Sequence, residues 1–304
     1  MSAAAALSDR LVVAISSRAL FDLTAEHALF EKQGLDAYQA FQLANEDTVL
    51  EPGIAFPLVR KLLRLNQLAP QTPQVEVILL SRNSGNSGLR IFNSIEHHGL
   101  DIVRAAFTNG APPFQYIEPF GANLFLSANS ADVRQALQAG YAAASILPSQ
   151  ASASTHPELR IAFDGDAVLF SDESECVSRN EGLDRFHENE KALAHQALCG
   201  GPFRSVLHAL HRIQAAFPAE GAPIRTALVT ARSAPAHKRV ILTLREWGVR
   251  IDEALFLGGR DKGPFLAAFG ADIFFDDTPT HAHSASRFVA TGHVPHGVAN
   301  PNDD

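Results

Sequence analysis

Two aspartates separated by one glycine interrupt an apolar run: Arg160-Ile161-Ala162-Phe163-Asp164-Gly165-Asp166-Ala167-Val168-Leu169-Phe170. The apolar residues before them read as a buried strand, so both carboxylates fall at its C-terminal end, where open α/β sheets bind ligands. Like charges that close repel each other and call for a proton or a cation between them. An all-oxygen ligand set points to Mg²⁺. Three more elements follow in order: Thr230 after the apolar segment Thr226 to Val229, Lys262 within Gly258-Gly259-Arg260-Asp261-Lys262-Gly263, and Asp276-Asp277 after Ala271 to Phe275. Each lies at a strand end or in a loop beyond one, and a parallel sheet gathers such ends along one edge.

Phosphoryl transfer gives each of these residues a task. Asp164 would attack phosphorus to form an aspartyl-phosphate. Asp166 would protonate the leaving oxygen and then activate water. Thr230 would donate a hydrogen bond to a phosphoryl oxygen, and Lys262 would neutralise charge on that group and on Asp164. Asp164, Asp166, Asp276 and Asp277 form the expected metal set, with the choice between Asp276 and Asp277 as the direct ligand left open.

The elements that must position these groups occur twice. Aligning Ser81 with Thr230, a shift of 149 positions, superimposes Leu79-Leu80-Ser81 on Leu228-Val229-Thr230, Gly110 on Gly259, and Phe120-Gly121-Ala122 on Phe269-Gly270-Ala271. A shift of 148 brings Gly34-Leu35-Asp36 onto Gly182-Leu183-Asp184. In each half a buried strand comes first (Leu11 to Ser16; Leu159 to Phe163), followed by a helix (Ala55 to Leu68; Phe203 to Phe217). A second strand (Val75 to Leu80; Ile224 to Val229), a second helix (Gly88 to His98; Ala236 to Trp247) and a third strand (Ala122 to Leu126; Ala271 to Phe275) complete the unit. Strands alternating with helices predict an α/β fold of two tandem Rossmann-like units, each with a parallel sheet. The Ser-, Ala- and Pro-rich stretch Pro148 to Pro157 reads as the linker, which sets the domains at 1–150 and 151–304.

The halves are chemically unequal. Ser16 and Arg18 stand where the second half has Asp164 and Asp166; Ser127 and Ala128 replace Asp276 and Asp277; Pro113 replaces Lys262. Only the hydroxyl position survives, as Ser81 against Thr230. The first half therefore lacks the carboxylates that hold a divalent cation and is expected to be catalytically silent. Substrate choice should come from an insertion after the first motif, about 172–202. There Phe186 could stack on a base and Glu190 could accept its amino protons, while Arg232 could reach a phosphate. The same insertion also fits an amphipathic helix with Phe186 packed inward and its charges in water.

The four motifs resemble those of the haloacid-dehalogenase-like phosphohydrolases: an Asp-x-Asp, a Ser/Thr, a Lys and an acidic pair. Over nearly all of its length the chain resembles the cytosolic 5′-nucleotidase type I family. That resemblance rests on Phe163-Asp164-Gly165-Asp166-Ala167-Val168-Leu169-Phe170-Ser171-Asp172, Glu181-Gly182-Leu183-Asp184-Arg185-Phe186, Thr230-Ala231-Arg232-Ser233-Ala234-Pro235 and Phe274-Phe275-Asp276-Asp277. It implies haloacid-dehalogenase-like units, the second with a small helical cap, and Mg²⁺-dependent hydrolysis of nucleoside 5′-monophosphates to nucleoside and phosphate. One departure is Ala167-Val168, where the wider superfamily commonly has Thr after the second Asp.

Composition narrows the partners. The chain has 304 residues, 46% hydrophobic and 19% charged, with a formal net charge of −8. That balance argues against nucleic acid and anionic membranes. Cys176 and Cys199 form no C-x-x-C pair and read as reduced thiols of a cytoplasmic protein. Met1 to Arg10 lacks the pattern of a signal peptide, Asn300 to Asp304 reads as a frayed tail, and no apolar run is long enough for a transmembrane helix. His281, His283, His293 and His296 read as solvated, since no third ligand has suitable spacing. The Ser- and Gly-rich segment 81–88 reads as a loop inherited from the repeat; an anion at that helix N-terminus would make it a regulatory nucleotide pocket. A homo-oligomer is left open. The rival functions are a phosphatase of a sugar phosphate or other small phosphomonoester, and a non-catalytic nucleotide-binding regulator.

Overall fold

The computed structural model describes residues 10–218 and 220–300. Apart from Arg10 and Asn300, the N-terminal segment and the C-terminal tail considered above lie outside the described residues. The protein is a mixed α/β fold built on mostly parallel sheet, in two compact units, Met1–Ala136 and Leu137–Asp304.

The first unit begins with β1 (Leu11–Ile15), five consecutive buried apolar residues, the pattern of a parallel strand covered on both faces. It continues through α1 (Ser17–Leu20), α2 (Thr24–Ala44), α3 (Phe56–Leu68), β2 (Val75–Ser81), α4 (Leu89–His97), β3 (Ala105–Phe107), a 3₁₀ turn (Pro113–Tyr116) and β4 (Leu124–Ser127) to α5 (Ser130–Gln138). The strands lie parallel in the order β3-β2-β1-β4. α3 buries Leu58, Val59, Leu62, Leu63 and Leu65, the spacing of one helical face laid on a sheet.

The second unit comprises β5 (Ala143–Ile146), β6 (Leu159–Phe163), α6 (Glu173–Glu181), α7 (Leu183–Ala192), α8 (Arg204–Ala215), β7 (Ile224–Thr230) and α9 (His237–Glu246). β8 (Glu253–Phe256), α10 (Gly263–Phe269), β9 (Ile273–Asp276), α11 (Pro279–Ala285) and β10 (Thr291–His293) complete it. Its strands run in the order β5-β10-β9-β6-β7-β8, parallel except where β10 meets β5. The division of the chain thus falls ahead of the linker expected at Pro148 to Pro157. β5 precedes that stretch but belongs to the second unit's sheet, so the sequence-based boundary at 150 is displaced.

The repeat is visible in the register. β1 pairs Val13 with Leu124 of β4, and β6 pairs Ile161 with Ile273 of β9. The order β3-β2-β1-β4 recurs as β8-β7-β6-β9. The insertions after the first strand also correspond. α2 breaks at Gly34 (φ 81°, ψ −171°), and α6 hands over to α7 at Gly182 (φ 89°, ψ 172°). Glycine holds such a positive φ without steric cost, so both breaks are fixed by residue type.

Candidate active site

The site is built at the C-terminal ends of β6, β7 and β9. The Asp164 amide donates to the Phe275 carbonyl at 2.8 Å, which ties the first residue after β6 to the end of β9. The chain then turns tightly: the Phe170 amide reaches back to the Gly165 carbonyl at 2.9 Å, with Ala167 at φ 57°. Gly201 closes against this turn. A Cβ there would lie 2.3 Å from the Phe170 carbonyl oxygen and 2.5 Å from that of Val168, so no larger residue fits. Beneath the turn Phe275 packs on Phe203 and Phe163, with ring centroids 4.8 and 5.7 Å away.

Lys262 draws the first and fourth motifs together. The loop that carries it is anchored by Leu257 and Gly259 amides on the carbonyls of Thr230 and Ala231, at 2.9 and 3.1 Å. Gly258 and Gly259 both take positive φ. The Lys262 Nζ lies 2.8 Å from Asp164 Oδ1 and 2.7 Å from Asp276 Oδ2. The other Asp276 oxygen accepts from the Thr278 amide at 2.8 Å. Oxygens of Asp164, Asp276 and Asp277 all lie within 4.8 Å of one another, and all four side chains are buried.

Three carboxylates against one ammonium leave this buried cluster electron-rich. Burial pushes Asp164 up to about 7; Lys262 pulls it down, while Asp276 and Asp166 push it up. Burial, then the charges of Asp164 and Asp276, push Asp277 up to about 10. Burial opposes the Lys262 charge, but Asp164 and Asp276 outweigh it and hold the ammonium above its ordinary range. Asp277 Oδ2 is buried and makes no hydrogen bond among the described residues, an acceptor that a proton or a cation would satisfy. Hard oxygen donors around an orphaned anionic atom fit a divalent cation such as Mg²⁺. Thr230 stands beside them: its Oγ1 accepts from the Arg232 amide at 3.2 Å and faces Gly165.

Asp166 departs from expectation. Its carboxylate lies outside the acidic cluster and is gripped by Arg232, with Nε on Oδ2 at 2.8 Å and Nη2 on Oδ1 at 2.5 Å. The side chain of Asp166 is therefore not among the clustered carboxylates, where the sequence pattern predicts it.

Arg232, Glu190 and Phe186 pack on one another. Glu190 is fully buried on α7 and pairs with Arg232 on one oxygen. Its other oxygen accepts from Arg239 Nη1 at 2.9 Å and from Ser174 Oγ at 2.8 Å. Arg239 in turn holds Glu173 at 2.7 Å. Phe186 is buried under the Arg232 guanidinium, 5.5 Å from its ring centre. A buried arginine needs counter-charges and a buried aromatic needs contact, and these residues satisfy each other. They form a strut from α6 and α7 to Asp166.

Two histidines read as solvated from the sequence are half-buried at the site. His293 Nε2 bonds the Asp277 carbonyl at 2.9 Å, and the Asn300 amide reaches the same oxygen at 2.8 Å. His281 Nδ1 lies 3.9 Å from Asp276 Oδ1. Nothing in their spacing signals this, because β10 and α11 bring them there through the fold. Among the described residues no helix is long and apolar enough to cross a membrane.

Comparison with known proteins agrees with this chemistry. The chain is 41% identical over 288 residues to human cytosolic 5′-nucleotidase 1B, a match that covers 91% of this chain. The chain spans about half the length of that relative, 47% of it. A solved structure described as a Staphylococcus aureus MnaA–UDP co-structure aligns with 91% of this chain and 76% of its own, at 9% identity and a TM-score of 0.21; it supports no statement about fold or ligand. The 5′-nucleotidase family model matches residues 3–301, and the chain belongs to that family.

Proposed function

We propose that this chain is a Mg²⁺-dependent phosphohydrolase that converts nucleoside 5′-monophosphates to nucleoside and phosphate. The observation that carries the reading is Lys262 bridging Asp164 and Asp276 beside the orphaned Asp277 oxygen. In this reading the two units are haloacid-dehalogenase-like, α6 and α7 act as a cap, and the protein works in the cytoplasm. The nucleotide, rather than a sugar phosphate, is favoured by the similarity to the human cytosolic 5′-nucleotidase.

The mechanism follows from the side chains. Asp164 carries the nucleophilic oxygen; it forms the bond to phosphorus as the bond to the 5′ oxygen breaks, giving an aspartyl-phosphate. Lys262 balances charge on Asp164 and on the phosphoryl oxygens. Thr230 orients a phosphoryl oxygen through its hydroxyl. Asp276 and Asp277, with Asp164, would hold Mg²⁺, which offsets the repulsion between carboxylate and phosphate when bound. Once turned from Arg232 and protonated from solvent, Asp166 gives that proton to the leaving 5′ oxygen, then takes one from the water that cleaves the aspartyl-phosphate. That turn places a conformational step at the strut from α7.

Phosphate release from a panel of nucleoside monophosphates and sugar phosphates, with Mg²⁺ and with EDTA, tests the proposal. Nucleotide turnover that stops in EDTA and returns with Mg²⁺ is the expected result. Faster release from sugar phosphates would replace the substrate, and no release from any ester would leave a non-catalytic binding protein.

A further inference from the structure

The first unit has lost its carboxylates but not its cavity. The backbone around it repeats the second unit bond for bond. The Ser16 amide donates to Leu126, as Asp164 does to Phe275, both at 2.8 Å. The Asn83 amide caps Ser81 Oγ at 3.2 Å, as the Arg232 amide caps Thr230 Oγ1 at 3.2 Å. The Asn129 amide donates to Ser127 Oγ at 3.1 Å, where the Thr278 amide donates to Asp276. Had the site merely decayed, large side chains could have filled it. Instead a cavity of about 250 Å³ remains, floored by hydroxyls and walled by Leu23, Phe30 and Leu35.

The charge in this cavity is inverted. Arg18 stands in place of Asp166, and Asn83 in place of Arg232. Arg18 is exposed at the cavity, and Glu31 and Tyr38 act on its charge. Glu31 also faces His27 at 3.4 Å. The one carboxylate that lines the cavity, Asp132, is neutralised by Arg82, with Nη2 2.5 Å from Oδ1. The balance favours an anion.

One donor has no protein acceptor. Arg90 Nη1 can only donate, so at 3.1 Å it fixes Gln42 Oε1 as acceptor. Gln42 Nε2 therefore donates to Tyr38, at 2.9 Å. The Tyr38 hydroxyl then donates to Asn83 Oδ1 at 2.8 Å. This chain of bonds fixes Asn83 Oδ1 on Tyr38 and leaves Nδ2 of this cavity-lining residue buried and, among the described residues, unpartnered. A buried donor without an acceptor costs roughly 1–3 kcal/mol, and an anionic oxygen in the cavity would remove that cost.

We propose that the first unit binds the phosphate of a nucleoside monophosphate without a metal ion and without hydrolysing it. The phosphate lies over Ser17, Ser81 and Asn83 near Arg18, and the base lies against Phe30 and Leu35. No carboxylate stands at the nucleophile position, so the ester stays intact. Anion binding rests on this cavity; the choice of nucleotide rests on the function proposed above.

The test is calorimetric titration of the full chain in EDTA with adenosine 5′-monophosphate, adenosine and inorganic phosphate. Without a cation the three carboxylates of the second unit repel phosphate, so binding reports the first unit. One equivalent of the nucleotide should bind, at least about tenfold more tightly than adenosine or phosphate alone. Arg18→Glu, on an exposed side chain, should weaken it about tenfold or more with melting unchanged, and Asn83→Asp should weaken it likewise. Absence of binding, or indifference to either substitution, overturns the proposal. Phosphate binding as tightly as the nucleotide overturns the role given to the apolar wall. If binding depends on Arg18 but Mg²⁺ gives no phosphate release, the function reading fails and this site stands.

Discussion

The two units share a backbone and differ in charge. At the ends of β1, β2 and β4 stand Ser16, Ser81 and Ser127; at the ends of β6, β7 and β9 stand Asp164, Thr230 and Asp276. Ser16 Oγ needs only local amides, Ala19 at 3.3 Å and Ala128 at 3.2 Å. Asp164 and Asp276 need Lys262, and Asp277 is left with an unsatisfied oxygen. A fold can thus carry the same strand ends either as a hydroxyl floor or as a carboxylate cluster bridged by one lysine. The second arrangement sacrifices stability for reactivity, as strained sites do. The contrast recurs further out: Gln42 of α2 meets one arginine, Arg90, whereas Glu190 of α7 meets two, Arg232 and Arg239.

The sharpest break in the comparison is the nucleophile. Asp164→Asn should lower turnover by at least about 10⁴-fold, while Ser16→Ala at the matching place should leave it within about twofold. The circular dichroism of Asp164→Asn should be unchanged, because the substitution removes one buried charge and little volume. Phosphate release near the normal rate from Asp164→Asn would remove Asp164 from the mechanism.

Lys262→Met comes next. It strands Asp164 and Asp276 without their cation, and breaking a buried pair from one side costs about 3–5 kcal/mol. Urea unfolding in EDTA should show a loss of that size, partly recovered by Mg²⁺. The first unit tolerates Pro113 at the same position because its carboxylates are gone too. A Lys262→Met protein as stable as the parent would mean that the cluster already carries its protons.

Exchanging Gln42 and Glu190 sharpens the outer half of the contrast. Glu190→Gln leaves Arg232 and Arg239 with less counter-charge and should cost about 2–4 kcal/mol. With one counter-charge fewer, Arg232 should hold Asp166 more tightly, lowering kcat more than KM. Gln42→Glu buries a second anion beside Glu26, which Arg90 already holds at 2.8 Å, and should cost about 1–3 kcal/mol while leaving kcat unchanged. Equal effects of the two substitutions on kcat would show that the strut carries no charge-specific role.

How much of this was legible depended on whether the signal lay along the chain. The repeat was readable because β1 and β6 are unbroken apolar runs in one register, with Gly34 and Gly182 at matching turns. Asp164, Thr230, Lys262 and Asp276 were readable because each follows such a run, and a parallel sheet gathers the ends. The strut was not. Arg232 and Asp166 are separated by 66 positions, and an arginine's counter-charge leaves no mark on spacing. β10, Thr291–His293, is three residues with a central glycine, too short and too polar to read as a strand, and His293 was misplaced with it. β5 is made of small residues before an apparent linker, so the domain boundary moved. The cavity over Ser81 was hidden for another reason: the lost carboxylates are plain in sequence, but space left unfilled is not.

The smallest expected effect is on pH dependence, and it belongs to the second unit alone. A carboxyl held above its unfolded value of 3.8 keeps a proton that the unfolded chain releases. Stability therefore falls as pH rises from that value to the folded one. Asp164 acts up to about 7 and Asp277 up to about 10. His281 and His293 are lowered by burial from 6.5 and act in the opposite sense, but only below that value. Between pH 7 and 8.5 the Asp277 effect remains, with a slope of at most about 1.4 kcal/mol per pH unit. The melting temperature in EDTA should drop across this window. Mg²⁺ should flatten the curve, because the cation replaces the proton, and Asp277→Asn should flatten it without metal. Ser127 and Ala128 hold no such proton, so no substitution there should tilt it. A level melting curve in EDTA would mean that Asp277 is ionised without a cation, and the buried cluster would then need a compensating positive charge other than Lys262.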